Sequence, residues 1–295
     1  MSGNPFTIVD VFAEEKYAGN ELAVIREAAS LSDADMQKIA RETNFSETTF
    51  ILKDEESRGG YEVRIFTPQT EMPFAGHPTL GTAFVIQQEI LRQPVRDVVL
   101  NLRVGPIPVT FTYRGQEPDV LWMKQVPPRF GEELEPRRVA PVLGLSPDDI
   151  DAGFPILSVS TGVPFFIVPL KTREALKGSR VDLAKLYPLI RETEAKAFLL
   201  FCPETLSSEN DLQVRVFADA LGVPEDPATG SGNGCLAGYL VRQRYFETDR
   251  ITLRVEQGYE IGRPSLLRLN AEEKAGEISV FVGGRVIPVA RGELV

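Results

Sequence analysis

Short apolar runs, broken by Gly, Pro and polar residues, dominate this chain. The stretch FPILSVSTGVPFFIVPL (Phe154 to Leu170) reads as two buried strands joined by a turn. VVLNLRVGPIPVTFTY, VLWMKQ, RITLRVEQG and EISVFVGGRVIPVA read as further strands. Two stretches follow a helical period instead. SLSDADMQKIARETN (Ser30 to Asn44) is a polar, amphipathic helix, with Ser32 as its N-cap and Asp33 and Asp35 in its first turn. After the glycine turn FAGHPTLG comes an apolar helix, from about Thr79 to Gln88, with little polar face. A helix without a polar face must be buried on all sides. Near-continuous apolar strands around it point to a sheet wrapped about that helix.

The pattern occurs twice. VRIF at Val63 to Phe66 recurs as VRVF at Val214 to Phe217, an offset of 214 − 63 = 151. Each copy runs through a proline, Pro73 and Pro224, into a glycine turn and then an apolar helix. Allowing a small insertion in the second copy, Gly76-His77 falls on Gly230-Ser231, an offset of 154. ETNFSETTFIL pairs with ETEAKAFLLF at offset 150, and AGNELAVI with TGVPFFIV at offset 143. Four similarities in one order argue for a duplicated chain. The fold class expected is α+β: two pseudo-symmetric lobes, 1–125 and 126–295, each a barrel-like, mostly antiparallel sheet around a central helix. A ligand pocket between two such lobes is the usual arrangement.

Composition narrows the function classes. The 295 residues are 43% hydrophobic and 25% charged, ordinary for a globular protein with a real core. The net charge of −10 disfavours nucleic acid as a partner. No apolar run of the length of a membrane span occurs, and MSGNPFTIVD carries no secretory pattern, so a cytoplasmic protein is expected. The two cysteines, Cys202 and Cys235, lack metal-site spacing, and there is one histidine, His77. Neither a metal nor a cofactor is expected.

The glycine turns suggest chemistry. Main-chain N–H groups in a helix's first turn lack intrahelical partners and favour anions. AGHPT and ATGSGNG both place glycine at such an end, so the amides around Gly76 and Gly230 suit a small carboxylate. Asp226, in PEDPATGSG, sits close to the second of these ends, where it could orient a substrate or bond His77. The halves also differ. Glu47 opens the apolar strand ETTFIL where the second half has Ala197, and His77 stands against Ser231. A glutamate at a strand mouth is costly unless exposed or functional, and partial burial suits it to take a proton and return it. The asymmetric set is Glu47, His77, Asp226 and Ser231, added to a duplicated scaffold.

VDVFAEEKYAGNELAVI, ETNFSETTFIL, VRIFTPQTEMPFAGHPTLG and EDPATGSG, in that order, resemble the PhzF family of phenazine-biosynthesis isomerase-like proteins, which share the diaminopimelate epimerase fold. The resemblance runs through nearly the whole chain. It implies a cofactor-independent isomerase, usually homodimeric, that moves a proton on a small carboxylate-bearing substrate. It implies that Glu47 is the shuttling acid/base, with His77, Asp226 and Ser231 assisting. Asn20 matches a pocket-lining position, and Gly76, Thr229 and Gly230 complete the substrate-binding set. Related racemases carry a thiol in each glycine turn; the corresponding positions here are Ala75 and Thr229, which disfavours a two-thiol mechanism. The alternatives are a catalytically silent carboxylate-binding protein of the same fold and an amino-acid racemase.

Overall fold

The computed structural model describes residues 3–295. The chain divides into two compact units, Met1–Met123 with Gly283–Val295, and Lys124–Val282. The expected division at 125/126 leaves the C-terminal segment with the second lobe. Here residues 283–295 join the first unit, because the last strand of the chain pairs with the first.

Unit 1 contains strands β1 (Asn4–Val11), β2 (Asn20–Ile25), β3 (Glu47–Ile51), β4 (Tyr61–Phe66), β5 (Glu71–Met72), β6 (Asp97–Leu102), β7 (Gly105–Arg114) and β8 (Glu117–Lys124, whose last residue falls in unit 2), with helices α1 (Asp33–Thr43) and α2 (Gly76–Val85). Unit 2 carries β9 (Arg129–Leu134), α3 (Pro136–Val139), β10 (Ile156–Ser160), β11 (Pro164–Pro169), α4 (Arg173–Gly178), α5 (Leu183–Ile190), β12 (Ala197–Cys202), β13 (Leu212–Phe217), α6 (Gly230–Arg242), β14 (Arg250–Gln257), β15 (Ser265–Lys274) and most of β16 (Glu277–Gly284). The closing strand β17 (Val286–Leu294) returns to unit 1.

The strand pairings repeat as the sequence does. In unit 1, β17 pairs antiparallel with β1, β1 antiparallel with β2, β2 parallel with β3, β3 antiparallel with β4, β4 parallel with β6, and β6 antiparallel with β7. Unit 2 follows the same alternation through β9, β10, β11, β12, β13, β14 and β15. Register copies as well. Leu22 pairs with Glu47 and Phe165 with Ala197, so the partners keep the offsets of 143 and 150 read from the sequence. The fold is mixed and α+β.

Each sheet wraps one helix. α2 packs against β1, β2, β3, β6, β7 and β17, and every residue from His77 to Val85 is buried. α6 packs against β10, β11, β12, β14 and β15. The amphipathic α1 lies outside its sheet: Ser32 caps it by accepting from the Asp35 N–H, and Met36 and Ala40, one turn apart, pack with Ile25, Phe50 and Phe66. In unit 2 the outer layer is α3, α4 and α5, whose Val139, Leu176, Leu186 and Ile190 pack on Phe166, Val168, Phe198 and Leu200.

The buried helix begins earlier than expected, at Gly76 rather than near Thr79. Pro78 had suggested a turn, but proline is tolerated in a first helical turn, where its missing N–H has no intrahelical use. His77 therefore sits inside the helix. Ser231 holds the matching second position of α6. The helix also outlasts the expected end, passing into a π-helical turn over Ile86–Leu91.

Gly81 marks the closest approach of α2 to its sheet. A Cβ there would meet Leu22 Cδ2 at 2.6 Å and Val11 Cγ2 at 2.9 Å, both in a fully buried layer. Gly81→Val is expected to lower the free energy of unfolding by about 2–3 kcal/mol through overpacking, read from urea titrations of the two proteins.

Candidate active site

In unit 1, four of the proposed residues come from adjacent element ends. β2 opens with Asn20, which is 1% exposed; β3, parallel to it, opens with Glu47; α2 opens with Gly76 and His77. His77 Nε2 lies 3.4 Å from Glu47 Oε2, with side-chain exposures of 7% and 18%. Glu47 is thus partly buried at a strand mouth, as its sequence position suggested. A buried hydroxyl pair ties the same two elements together: Thr82 Oγ1 of α2 donates to Thr49 Oγ1 of β3 over 2.8 Å.

The His77–Glu47 contact is not a conventional ion pair. Burial pushes His77 down to about 3, against a smaller upward pull from a hydrogen bond to the Glu21 main chain. At neutral pH the imidazole is therefore uncharged. A main-chain bond that favours the protonated ring is one in which a ring N–H donates to the carbonyl. Among the described residues Nε2 has no hydrogen-bond partner, which leaves Nδ1 as the donor. The neutral tautomer with Nδ1–H leaves Nε2 as an acceptor facing the Glu47 carboxyl group.

The first-turn amides of α2, at Gly76 and His77, have no acceptor within their own helix. The N-cap residue Ala75 is extended, and its carbonyl accepts from both the Thr79 hydroxyl at 2.7 Å and the Thr79 N–H at 3.4 Å. The cap of α2 thus leaves its anion-facing end free of any side-chain cap.

In unit 2 the cap is denser. Thr229 is the N-cap of α6, Gly230 and Ser231 are its first two residues, and the Thr229 hydroxyl donates to Asp226 Oδ2 over 2.5 Å. The Asp226 N–H donates to the Val216 carbonyl of β13. The Ser231 carbonyl accepts from Thr161 Oγ1 at 3.3 Å. Sequence reasoning missed two members of this cap, Asn233 and Gln257, both fully buried. Asn233 donates to the Thr229 carbonyl at 3.1 Å and to Gln257 Oε1 at 2.8 Å. It also missed Glu21, which acts through its main chain and so leaves no signature in residue type.

Two matched ion pairs precede the two helices. Arg64 binds Glu71 through Nε and Nη2, and Arg215 binds Glu225 in the same way. Each arginine lies over the phenylalanine two residues on, Phe66 at 5.1 Å and Phe217 at 4.7 Å. Glu71 and Glu225 each stand five residues before the glycine that opens the helix, an offset of 225 − 71 = 154 that equals the glycine offset. These charged, partly buried pairs hold both approaches to the helix starts.

Both cysteines are buried, and burial raises each thiol to about 11. Neither is poised as a thiolate base. Among the described residues no group of three or more His, Cys, Asp or Glu side chains has metal-binding geometry. No helix among them is long and apolar enough to cross a membrane.

The fold, a mixed sheet wrapped about a glycine-headed helix in each unit, is that of PhzF proteins and of proline racemase-like epimerases. A PhzF-family protein of Bacillus anthracis matches it with a TM-score of 0.91 at 24% identity over 100% of both chains. A protein of Pseudomonas aeruginosa described as a predicted epimerase matches with a TM-score of 0.80 at 33% identity over 99% of both chains. A probable proline racemase of Agrobacterium radiobacter matches at 0.63 and 11% identity, covering 99% of this chain and 93% of that one, a likeness of fold alone. The model of the phenazine biosynthesis-like family, PhzC-PhzF, matches residues 9–292. The chain belongs to that family, and it is an isomerase. Its relatives include an uncharacterized isomerase of Mesorhizobium japonicum, 35% identical over 100% of this chain and 99% of that one. They also include a trans-2,3-dihydro-3-hydroxyanthranilate isomerase of Pseudomonas aeruginosa, 33% identical over 97% of this chain and 98% of that one.

Burial of His77 has a measurable linkage. Its folded pKa lies below the unfolded value near 6.5, so the unfolded chain binds the proton first as pH falls. Stability is fully present above about 6.5 and declines as pH drops from there toward 3. Because this is the only histidine, comparison with a variant that lacks it isolates the imidazole's contribution. Between pH 6.5 and 5, the unfolding free energy of the native protein should fall by about 2 kcal/mol more than that of His77→Gln, in chemical denaturation at each pH.

Proposed function

We propose that this protein is a cofactor-independent isomerase that moves a proton on a small carboxylate-bearing substrate, with Glu47 as the acid/base. The observation that carries this reading is the contact between Glu47 and the neutral, buried His77. An acid/base group that takes a proton at one carbon and returns it at another needs both forms within reach. A protonated Glu47 can donate to His77 Nε2, and an ionised Glu47 can accept from substrate carbon. His77 Nδ1–H, tied to the Glu21 carbonyl, keeps the ring from rotating between the two states.

The first-turn amides at Gly76 and at Gly230 are each suited to a carboxylate or another small anion. In this reading Asn20 lines the pocket, Thr229 and Gly230 bind substrate, and Asp226 and Ser231 assist in orienting it and in proton relay. These roles rest on the family likeness, with the Thr229–Asp226 bond as their geometric support in unit 2. Trans-2,3-dihydro-3-hydroxyanthranilate, the compound in the name of one relative, is the first substrate to try. The same reading takes the protein as a cytoplasmic homodimer, and light scattering of the purified protein tests the dimer.

The chemistry is tested by solvent-deuterium incorporation, followed by NMR or mass spectrometry over a panel of cyclic and amino carboxylic acids that includes that compound. Native protein should exchange or isomerise at least one of them. Glu47→Gln should abolish the exchange while keeping the native circular dichroism spectrum; full exchange by that variant overturns the assignment. Replacing Cys202 and Cys235 together by alanine should leave turnover unchanged, whereas a two-thiol racemase would be silenced.

A further inference from the structure

Strand β14 ends in two fully buried polar side chains, Glu256 and Gln257, and Gly258 follows. Successive residues of a strand face opposite ways, and these two serve different loops. The Glu256 carboxylate accepts from the Leu206 and Ser207 N–H groups and from the Asn210 amide. Gln257 serves the cap of α6. Its Oε1 accepts from the Thr229 N–H at 3.2 Å and from Asn233 Nδ2 at 2.8 Å. Its Nε2 donates to the Asp226 carbonyl at 2.7 Å and to Thr229 Oγ1 at 3.0 Å. The amide cannot be reversed, because a main-chain N–H only donates and a main-chain carbonyl only accepts.

This arrangement fixes a hydrogen. The Thr229 hydroxyl has one proton, and its oxygen already accepts from Gln257. The proton therefore points to Asp226 Oδ2, 2.5 Å away. A hydroxyl that donates to a carboxylate oxygen holds it as an acceptor and in one orientation. The main chain reinforces the contact. Gly258 has φ +80, and a Cβ on it would meet the Pro227 carbonyl oxygen at 2.6 Å, so the strand end lies directly against the loop that bears Asp226.

We propose that Gln257 is a positioning residue of the isomerase: it orients the Thr229 hydroxyl and, through it, the Asp226 carboxylate. The inference rests on the functional reading above, in which Asp226 assists the reaction. It goes beyond that reading by making the Asp226 orientation depend on a side chain that touches no substrate. The loss expected on breaking the chain is that of a hydrogen bond to a charged group, about 10- to 100-fold in turnover.

The test compares Gln257→Met, Thr229→Val, their double variant and Thr229→Ser with the native protein. Turnover is measured on trans-2,3-dihydro-3-hydroxyanthranilate, and amide hydrogen exchange over residues 226–233 and 206–210. Gln257→Met and Thr229→Val should each lower kcat about 10- to 100-fold, and Gln257→Met should keep KM within about threefold. The double variant should be no slower than the slower single, and Thr229→Ser, which keeps the hydroxyl, should turn over faster than Thr229→Val. A double variant whose loss is the product of the two singles, or a Gln257→Met that keeps kcat, overturns the inference. Should Gln257→Met fold poorly, Thr229→Val against Thr229→Ser still decides whether the hydroxyl carries the effect. A native protein inert toward the whole panel counts against the functional reading alone, and hydrogen exchange then decides this inference. Gln257→Met must speed exchange over 226–233 while 206–210, held by Glu256, keeps its native rate; equal change in both segments, or none in either, overturns it.

Discussion

Enclosing a whole helix within a curved sheet is the constraint from which most of this protein's chemistry follows. α2 has no face turned to water, so every polar group on it needs a partner or must shed its charge. Thr79 turns back to the Ala75 carbonyl, Thr82 reaches Thr49, and His77 loses its charge to burial while it bonds the Glu21 main chain. The first-turn amides are the remaining polar feature of the helix, and they sit at the same end as His77. The unsatisfied amides and the buried imidazole are thus brought together at one helix terminus.

The same enclosure in α6 is met with different means. Its first turn carries Ser231 in place of a histidine, and the strain of bringing a polar loop against a buried strand end falls on Gln257 and Gly258. The duplicated Arg–Glu pairs, Arg64–Glu71 and Arg215–Glu225, show which part of the plan stayed common to both units: the approach to the helix. What differs is the polar content of the first turn and the strand mouth, where Glu47 in one unit stands against Ala197 in the other.

Much of the fold was legible because strand register copies sequence offset. The parallel pairs Leu22–Glu47 and Phe165–Ala197 carry the spacing of the two AGN- and TGV-headed segments unchanged. Glu47 stood out because it opens an apolar strand where the matching strand of the other half has Ala197. Gln257 did not, since a glutamine at a strand end normally reads as solvent-facing, and only the loop folded over it reveals its burial. The helix start was misplaced by three residues because Pro78 looks the same in a turn as in a first helical turn. β9 and β15 escaped notice: RFGEEL is largely exposed, and SLLRLNAEEK mixes apolar with charged residues.

The pairing of β17 with β1 places the two ends of the chain side by side in one sheet. Unit 2 is one continuous stretch, Lys124–Val282, whereas unit 1 is interrupted by it. During synthesis the second unit emerges whole before β17, and β1 keeps an unpaired edge until β17 follows. The unit that bears Glu47 and His77 is begun before unit 2 and completed after it. A ribosome-bound chain from which β17 has not yet emerged therefore has a sheet edge open to other strands, in the unit that carries Glu47 and His77.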